Sequence, residues 1–378
     1  MTDEQLDARI KALIEKEIQA AITKYRHPIK IFSLNSCKDY AGRVAEHLSL
    51  GLTPTEEKLH TNGEPYIKPS SEPCGNVRGH NCFVVARLDD ERDEDVSTKF
   101  TKFTLLCSAL AGAHAHQVVG VLAHAFMNRQ GKKVQSRDVL GTLSVHSQMV
   151  AAGMDHALYV EVHDLPATQN SFPIRNQPDN LEVRRLFAEW AVVELKKASG
   201  YRPEDTDFIL RKKVKVLAPD AGAYVRCVHF ADTMSVLLGL PEDEFIDVVA
   251  LPKVRKKGGK QDKRRKVTLM GDVRDCWVLT YDDMMDTFGT METADRQVEA
   301  EGGEMFALMA AHGIFGEPAN ERVTNLNSSV RLVVADTVKP WRLNEANQAR
   351  LHVIDTTRLV ADAIWRIHST TGSISELL

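Results

Sequence analysis

The chain has 378 residues, 43% of them hydrophobic, enough for two domains with sizeable buried cores. A formal net charge of −4 gives no overall attraction to nucleic acid or to a membrane surface, so any such attraction has to be local. Six cysteines without CxxC spacing, no apolar run near the roughly 18 residues of a membrane span and an acidic N-terminus unlike a signal peptide point to a soluble, cytoplasmic protein with buried thiols.

Residues 2–25 read as an amphipathic helix. Thr2 to Gln5 form a capping box, and Leu6, Ile10, Leu13, Ile18, Ile22 and Tyr25 recur at helical spacing until Pro28 stops the pattern. The spacing predicts an N-terminal arm over 1–27 that packs or supports an oligomer, with partner docking as the alternative. From Ile29 the pattern changes to short apolar strands, expected at 29–33, 81–86, 117–126, 156–163, 214–220, 245–251, 276–281, 303–313 and 330–336. Helical stretches separate them at 37–49, 138–153, 182–199, 221–238 and 290–302. Strands rich in Val, Ile and Leu alternating with helices predict an α/β protein with mostly parallel sheets covered on both faces, and ligands beyond the carboxyl ends of the strands. The polar stretch QPDNLEVRR (177–185) places the main boundary, giving domains over 28–178 and 179–345. The closing segment, 346–378, carries a helix with Leu359, Val360, Ala363, Ile364 and Ile367 on one face, suited to packing back on the domains.

The most informative string is YDDMMDTFGT (281–290), which sets three carboxylates beside phosphate-cradling residue types. It lies between a strand and a helix, so backbone N–H groups near a helix N-terminus favour an anion. Thr287 and Thr290 add hydroxyl donors, and Gly289 lets the backbone approach closely. Asp282 and Asp283 suit the opposite kind of group, hydroxyls or a metal ion. A ribose 5-phosphate unit, with a phosphate at one end and a vicinal diol nearby, satisfies both halves.

YDDMMDTFGT resembles the phosphoribosyl-binding signature of the ribose-phosphate diphosphokinases, the phosphoribosyl pyrophosphate synthetases. Other segments resemble the family in order: IKIFSLNS (29–36), NVRGHNCFVV (76–85), RQGKKVQSR (129–137), APDAGA (218–223), GDV (271–273), AHGIF (311–315), VVADTVKP (333–340) and ADAIWRIHSTTGSISELL (361–378). The resemblance implies two phosphoribosyltransferase-type (type I) domains, and a homo-oligomer, usually a hexamer, with ATP sites shared between subunits. It implies Mg2+-dependent transfer of the β,γ-diphosphoryl group of ATP to the C1 hydroxyl of ribose 5-phosphate, releasing AMP, in nucleotide biosynthesis.

By resemblance, Arg129, Gln130 and Arg137 contact ATP, as do His60, Asn62 and Glu64 of HTNGE. His163 works with metal and triphosphate, and Asp220 lies near the sugar and a magnesium. Asp282 and Asp283 hold the ribose hydroxyls, while Asp286, Thr287, Phe288, Gly289 and Thr290 complete the 5-phosphate loop. Lys253 and Arg255, in the basic stretch PKVRKKGGKQDKRRK (252–266), match the Lys-x-Arg that stabilises the transition state. Taken by composition alone, that stretch is a solvated loop or a nucleic-acid patch.

Departures from the family cluster on one side of the site. Gly131 and Val134 stand where acids are usual, Glu161 replaces a strand-end Asp, and HDLPATQNSFP (163–173) replaces a Gln-rich segment. His60 replaces the aromatic residue that stacks on adenine. The phosphate loop and the Lys-x-Arg are spared, so the same chemistry on the terminal ribose of ADP-ribose, within NAD metabolism, is an alternative. A non-catalytic regulatory homologue is a second, disfavoured because such chains tend to lose the loop bases or the signature acids. HAH (114–116) lacks a third ligand for a metal site, Cys227 and Cys276 read as structural thiols, and His312 matches a family position.

Overall fold

The computed structural model describes residues 27–70, 76–201, 212–241, 243–251, 269–369 and 372–377. The arm helix expected over 2–25 and the basic stretch 252–266, with Lys253 and Arg255, lie outside the described residues.

The first lobe is built on a five-stranded parallel sheet in the order β1-β4-β5-β6-β7. Its strands are β1 (Ile29–Ser33), β4 (Asn81–Arg87), β5 (Gln117–His124), β6 (His156–Val160) and β7 (Asp179–Leu181). Helices α1 (Lys38–His47), α2 (Val96–Gly112), α3 (Gly141–Ala151) and α4 (Leu165–Asn170) connect them. Every residue of β4 is buried, as a strand covered on both faces requires. An antiparallel hairpin, β2 (Thr55–Leu59) and β3 (Pro65–Pro69), stands apart from the sheet. Sequence patterning misses this hairpin because TEEKL is polar and its side chains are exposed or half-buried. It misses α2 as well, although Asp95 caps that helix by accepting from the Ser97 and Thr98 amides, and Phe100, Phe103, Leu106 and Leu110 are buried along it.

The second lobe carries a six-stranded parallel sheet in the order β13-β12-β11-β10-β8-β9. Its members are β8 (Lys213–Ala218), β9 (Val248–Ala250), β10 (Cys276–Met285), β11 (Glu304–Gly313), β12 (Arg331–Ala335) and β13 (Leu351–Ile354). Its helices are α5 (Arg184–Ala198), α6 (Tyr224–Leu238), α7 (Gly289–Ala300), α8 (Ala319–Thr324) and α9 (Glu345–Gln348), with α10 (Thr357–Ser369) closing the chain. Two strand ends differ from expectation in a way that shapes the site. The stretch expected as a strand over 276–281 continues to Met285, because β11 pairs with it all the way to Met285↔Gly313. Its other neighbour, β8, stops at Thr280↔Leu217, so Asp282 and Asp283 overhang the sheet at its carboxyl edge. The expected strand over 245–251 shrinks to Val248–Ala250.

The lobes share one apolar core, in which Tyr40 and Val85 join Phe230 and Tyr281. Helix α10 returns to the first lobe, where Tyr40 Oη and Thr356 Oγ1 lie 2.8 Å apart in buried surroundings. Arg43 spans the lobes through Asp336 at 2.7 Å and Asp355 at 2.5 Å. Cys37, Cys82, Cys107, Cys227 and Cys276 are free and buried. Among the described residues no helix is long and apolar enough to cross a membrane.

Candidate active site

A cleft of about 590 Å3 opens between the lobes at the carboxyl edge of the second sheet. Its wall runs from Asp282 through Met291, and across it stand Arg129, Lys132, His163 and Asp164 of the first lobe with Asp220 and Arg226. The signature string therefore lines the cleft continuously. Asp282 and Asp283 come from the overhanging end of β10, and Thr287 to Thr290 form the turn into α7.

That turn is held in an uncommon shape. Phe288 sits at the N-cap of α7 with φ 63°, in the left-handed region. A non-glycine residue there costs roughly 1–2 kcal/mol. The ring is 2% exposed, and burying it contributes roughly 1.5–3 kcal/mol, enough to offset the strain. The turn leaves the first amides of α7 without intrahelical partners, beside Thr287 and Thr290 on the cleft wall. At Gly289 a Cβ would come within 2.8 Å of Arg322 Nη1, which donates to the Thr287 carbonyl at 2.6 Å, so the guanidinium would have to shift.

The acids form a wired unit. Arg226, on the first turn of α6, reaches Asp282 at 3.3 Å, Asp283 at 3.6 Å and Glu161 at 3.2 Å. His163 Nδ1 bonds Asp283 Oδ2 at 2.6 Å across 120 residues of sequence. Burial and repulsion from Asp283 push Asp282 well above the usual carboxylate range. Burial works against ionisation of Asp283 too, but the His163 hydrogen bond and the Arg226 charge outweigh it and hold that carboxyl low. Burial also raises Glu161, which is 4% exposed and takes hydrogen bonds from the Val183 amide and Tyr281 Oη. The replaced acid is thus a strut behind Arg226 and does not line the cleft.

Asp220 caps the turn into α6, accepting from the Gly222 and Ala223 amides at 2.9 and 3.2 Å. Arg129 pairs with Asp286 at 2.6 Å across the cleft mouth. Gln130 lies in an adjoining cavity. Arg137 is exposed, with φ 74°, and lies off the cleft wall. His60, Asn62 and Glu64 form the exposed turn between β2 and β3, away from the cleft of their own chain. His312 is buried, its Nε2 donating to the Glu161 carbonyl at 2.9 Å and its Nδ1 lying 2.8 Å from Thr337 Oγ1. Sequence reasoning missed Arg226, Lys132 and Arg322. For Arg226 a signal was present, since it is a cation six positions after Asp220 at the start of a helix.

Among the described residues, the cleft wall carries five aspartates against three cations, Arg129, Lys132 and Arg226. Such a balance suits sugar hydroxyls and a cation better than a bare polyphosphate. Among the described residues no group of three or more His, Cys, Asp or Glu could hold a metal ion as a closed protein cage.

Residues 29–153 match the model for the N-terminal domain of ribose phosphate pyrophosphokinase, and residues 242–378 match the phosphoribosyl synthetase-associated domain. Among solved structures, phosphoribosylpyrophosphate synthetase from Mycobacterium smegmatis is similar at 20% identity, with a TM-score of 0.73 over 91% of this chain and 99% of that one. That level of likeness establishes the fold: two phosphoribosyltransferase-like α/β domains. Adenine phosphoribosyl transferase from Trypanosoma brucei is also similar, at 17% identity over 47% of this chain and 65% of that one. The TM-score of that match is 0.27. With models of both halves of one family matched in order along the chain, on that fold, this protein belongs to the ribose-phosphate pyrophosphokinase family of enzymes.

Proposed function

We propose that the cleft transfers the β,γ-diphosphoryl group of ATP to the C1 hydroxyl of ribose 5-phosphate, giving phosphoribosyl pyrophosphate and AMP. The observation that carries this reading is the single wall on which an acid pair and an amide-lined turn adjoin, Asp282 and Asp283 followed by Thr287 to Thr290. The turn grips the 5-phosphate, and the acids accept from the ribose hydroxyls. Arg226 keeps both acids in place, at 3.3 Å from Asp282 and 3.6 Å from Asp283.

Transfer to the sugar depends on positioning and on positive charge around the moving phosphates more than on a strong base. The acid-rich wall supplies too little of that charge, which is where Mg2+ fits. Asp220 is the carboxylate suited to it, since magnesium keeps several waters and takes only one or two protein carboxylates alongside phosphate oxygens. His163 Nδ1 is committed to Asp283, leaving Nε2 to meet the metal–triphosphate complex. Held there, the ion would supply positive charge against the phosphate oxygens. Arg129 offers its planar fork to phosphate oxygens, moving from Asp286 to do so. Lys253 and Arg255 bring further positive charge to the transferred group. The assembly belonging to this reading is a homo-oligomer in the cytoplasm, hexameric by resemblance.

The experiment is incubation with ATP, Mg2+ and either ribose 5-phosphate or ADP-ribose, following AMP release and the pyrophosphorylated product. Turnover with ribose 5-phosphate, abolished in Asp282→Ala and Asp283→Ala, is the expected result. Turnover only with ADP-ribose transfers the chemistry to that acceptor, and unchanged turnover in both variants refutes the site.

A further inference from the structure

Two acids of the first lobe hold carboxylate oxygens that take no hydrogen bond from any described residue, and they differ in reach. Asp89 is enclosed, both oxygens buried with Lys99 Nζ 3.7 Å away, so no ligand meets it. Asp164 stands on the cleft wall and is only half-buried. It caps α4, where its Oδ1 accepts from the Ala167 amide at 3.0 Å. Its Oδ2 has no partner among the described residues and, unlike the oxygens of Asp89, remains accessible. Gly131 gives this carboxylate its place. A Cβ on Gly131 would stand 2.6 Å from Ala167 Cβ, so α4 leaves no room there for the acid usual at that position. The same Cβ would lie 3.8 Å from Asp164 Oδ2, so α4 brings a negative charge to the space that a side chain at 131 would have entered.

Arg129 and Lys132 share the first-lobe part of the wall with Asp164. Two such cations by themselves attract a bare polyphosphate. A carboxylate set among them repels it, unless a divalent cation stands between the two anions. His163, the preceding residue, has its Nδ1 committed to Asp283 and is no rival for an ion at Oδ2. We propose that Asp164 is a specificity residue of the donor side: its Oδ2 receives the Mg2+ of the metal–triphosphate complex, directly or through a coordinated water, and excludes the uncomplexed triphosphate. The inference rests on the diphosphoryl-transfer reading of the cleft and adds to it a recognition of the metal complex from both lobes. Asp220 serves the ion from the second lobe and Asp164 from the first, within the one or two carboxylates that magnesium takes beside phosphate oxygens.

Titration calorimetry on the full chain tests it, with ATP added in the presence of Mg2+ and again in EDTA. Asp164→Asn is the variant of choice, because Asn caps a helix as well as Asp and so keeps the Ala167 contact while removing the charge. Wild type binds the Mg2+ complex about tenfold or more tighter than metal-free ATP. In the variant the Mg2+ complex weakens by about tenfold while metal-free ATP holds or tightens, so the preference falls to near unity with ribose 5-phosphate affinity unchanged. Equal weakening of both forms marks Asp164 as a helix cap alone and overturns the inference, as does a preference that the variant keeps. Should Asp164→Asn not fold, Asp164→Ser caps as well and is read in the same way. Wild-type binding of ATP that ignores Mg2+ overturns the selectivity alone, and absence of ATP binding by wild type overturns the donor reading itself.

Discussion

Arg226→Met is the most exacting test of how the site is held together. Arg226 is the cation common to Asp282, Asp283 and Glu161, with contacts of 3.2 to 3.6 Å and a side chain 19% exposed. Methionine keeps most of the volume and removes the charge, leaving Glu161 and Asp283, each 4% exposed, without it. Breaking one side of a buried ion network costs about 3–5 kcal/mol. At roughly 2 °C per kcal/mol for a larger domain, the melting temperature of the unliganded protein falls by at least about 6 °C. The pH dependence has a definite sign. Burial already raises Glu161, opposed by Arg226, and without the guanidinium its folded value rises further above the unfolded one. A carboxyl shifted upward stabilises the fold at low pH and loses that contribution as pH rises through its folded value. The deficit of the variant is therefore smallest near pH 5 and largest near pH 8, at roughly these limits. Thermal unfolding followed by circular dichroism across that range measures it. A drop of under about 2 °C, or one that does not change with pH, refutes the network.

Three further outcomes follow from the same structure. Gly289→Ala sets a Cβ within 2.8 Å of Arg322 Nη1 and dislodges it from the Thr287 carbonyl; we expect KM for ribose 5-phosphate to rise about tenfold with little change in melting temperature, and an unchanged KM would count against the turn as the phosphate seat. Burial holds His312 down to about 3, so the unfolded chain binds a proton there that the folded one refuses. Its contribution to stability is complete above about pH 6.5 and is lost as pH falls toward the folded value, so the acid-side slope of stability in His312→Gln should shrink by about one proton. Tyr40→Phe removes the buried hydroxyl facing Thr356, whose own Oγ1 donates to Asp336 at 2.7 Å. It should cost about 1 kcal/mol of stability and leave turnover unchanged, and loss of activity would show that the lobe contact governs the cleft.

What the chain decides locally was legible from its residues. Strands such as NCFVVAR and RLVVA carry the unbroken apolar runs CFVVA and LVVA because both faces of a parallel sheet are covered, and that pattern needs no partner to be recognised. The stretch from Asp282 to Thr290 was legible as local structure for the same reason, since it folds into one strand end and one helix start. The exposed hairpin of β2 and β3 and the short β13 escaped, because polar side chains and four-residue strands carry no periodicity. Only the tertiary structure decided which charges meet. His163 joins Asp283 across 120 residues and Arg129 joins Asp286 across 157, each through crossovers that bring strand ends of two lobes to one edge. Glu161 read as a departure within the reactive site, and packing made it a strut; Asp89 carried no signal at all until burial left its oxygens without donors. A side chain's type is written in the sequence, but its ionisation, its partners and the solvent it loses are set by what the fold places against it.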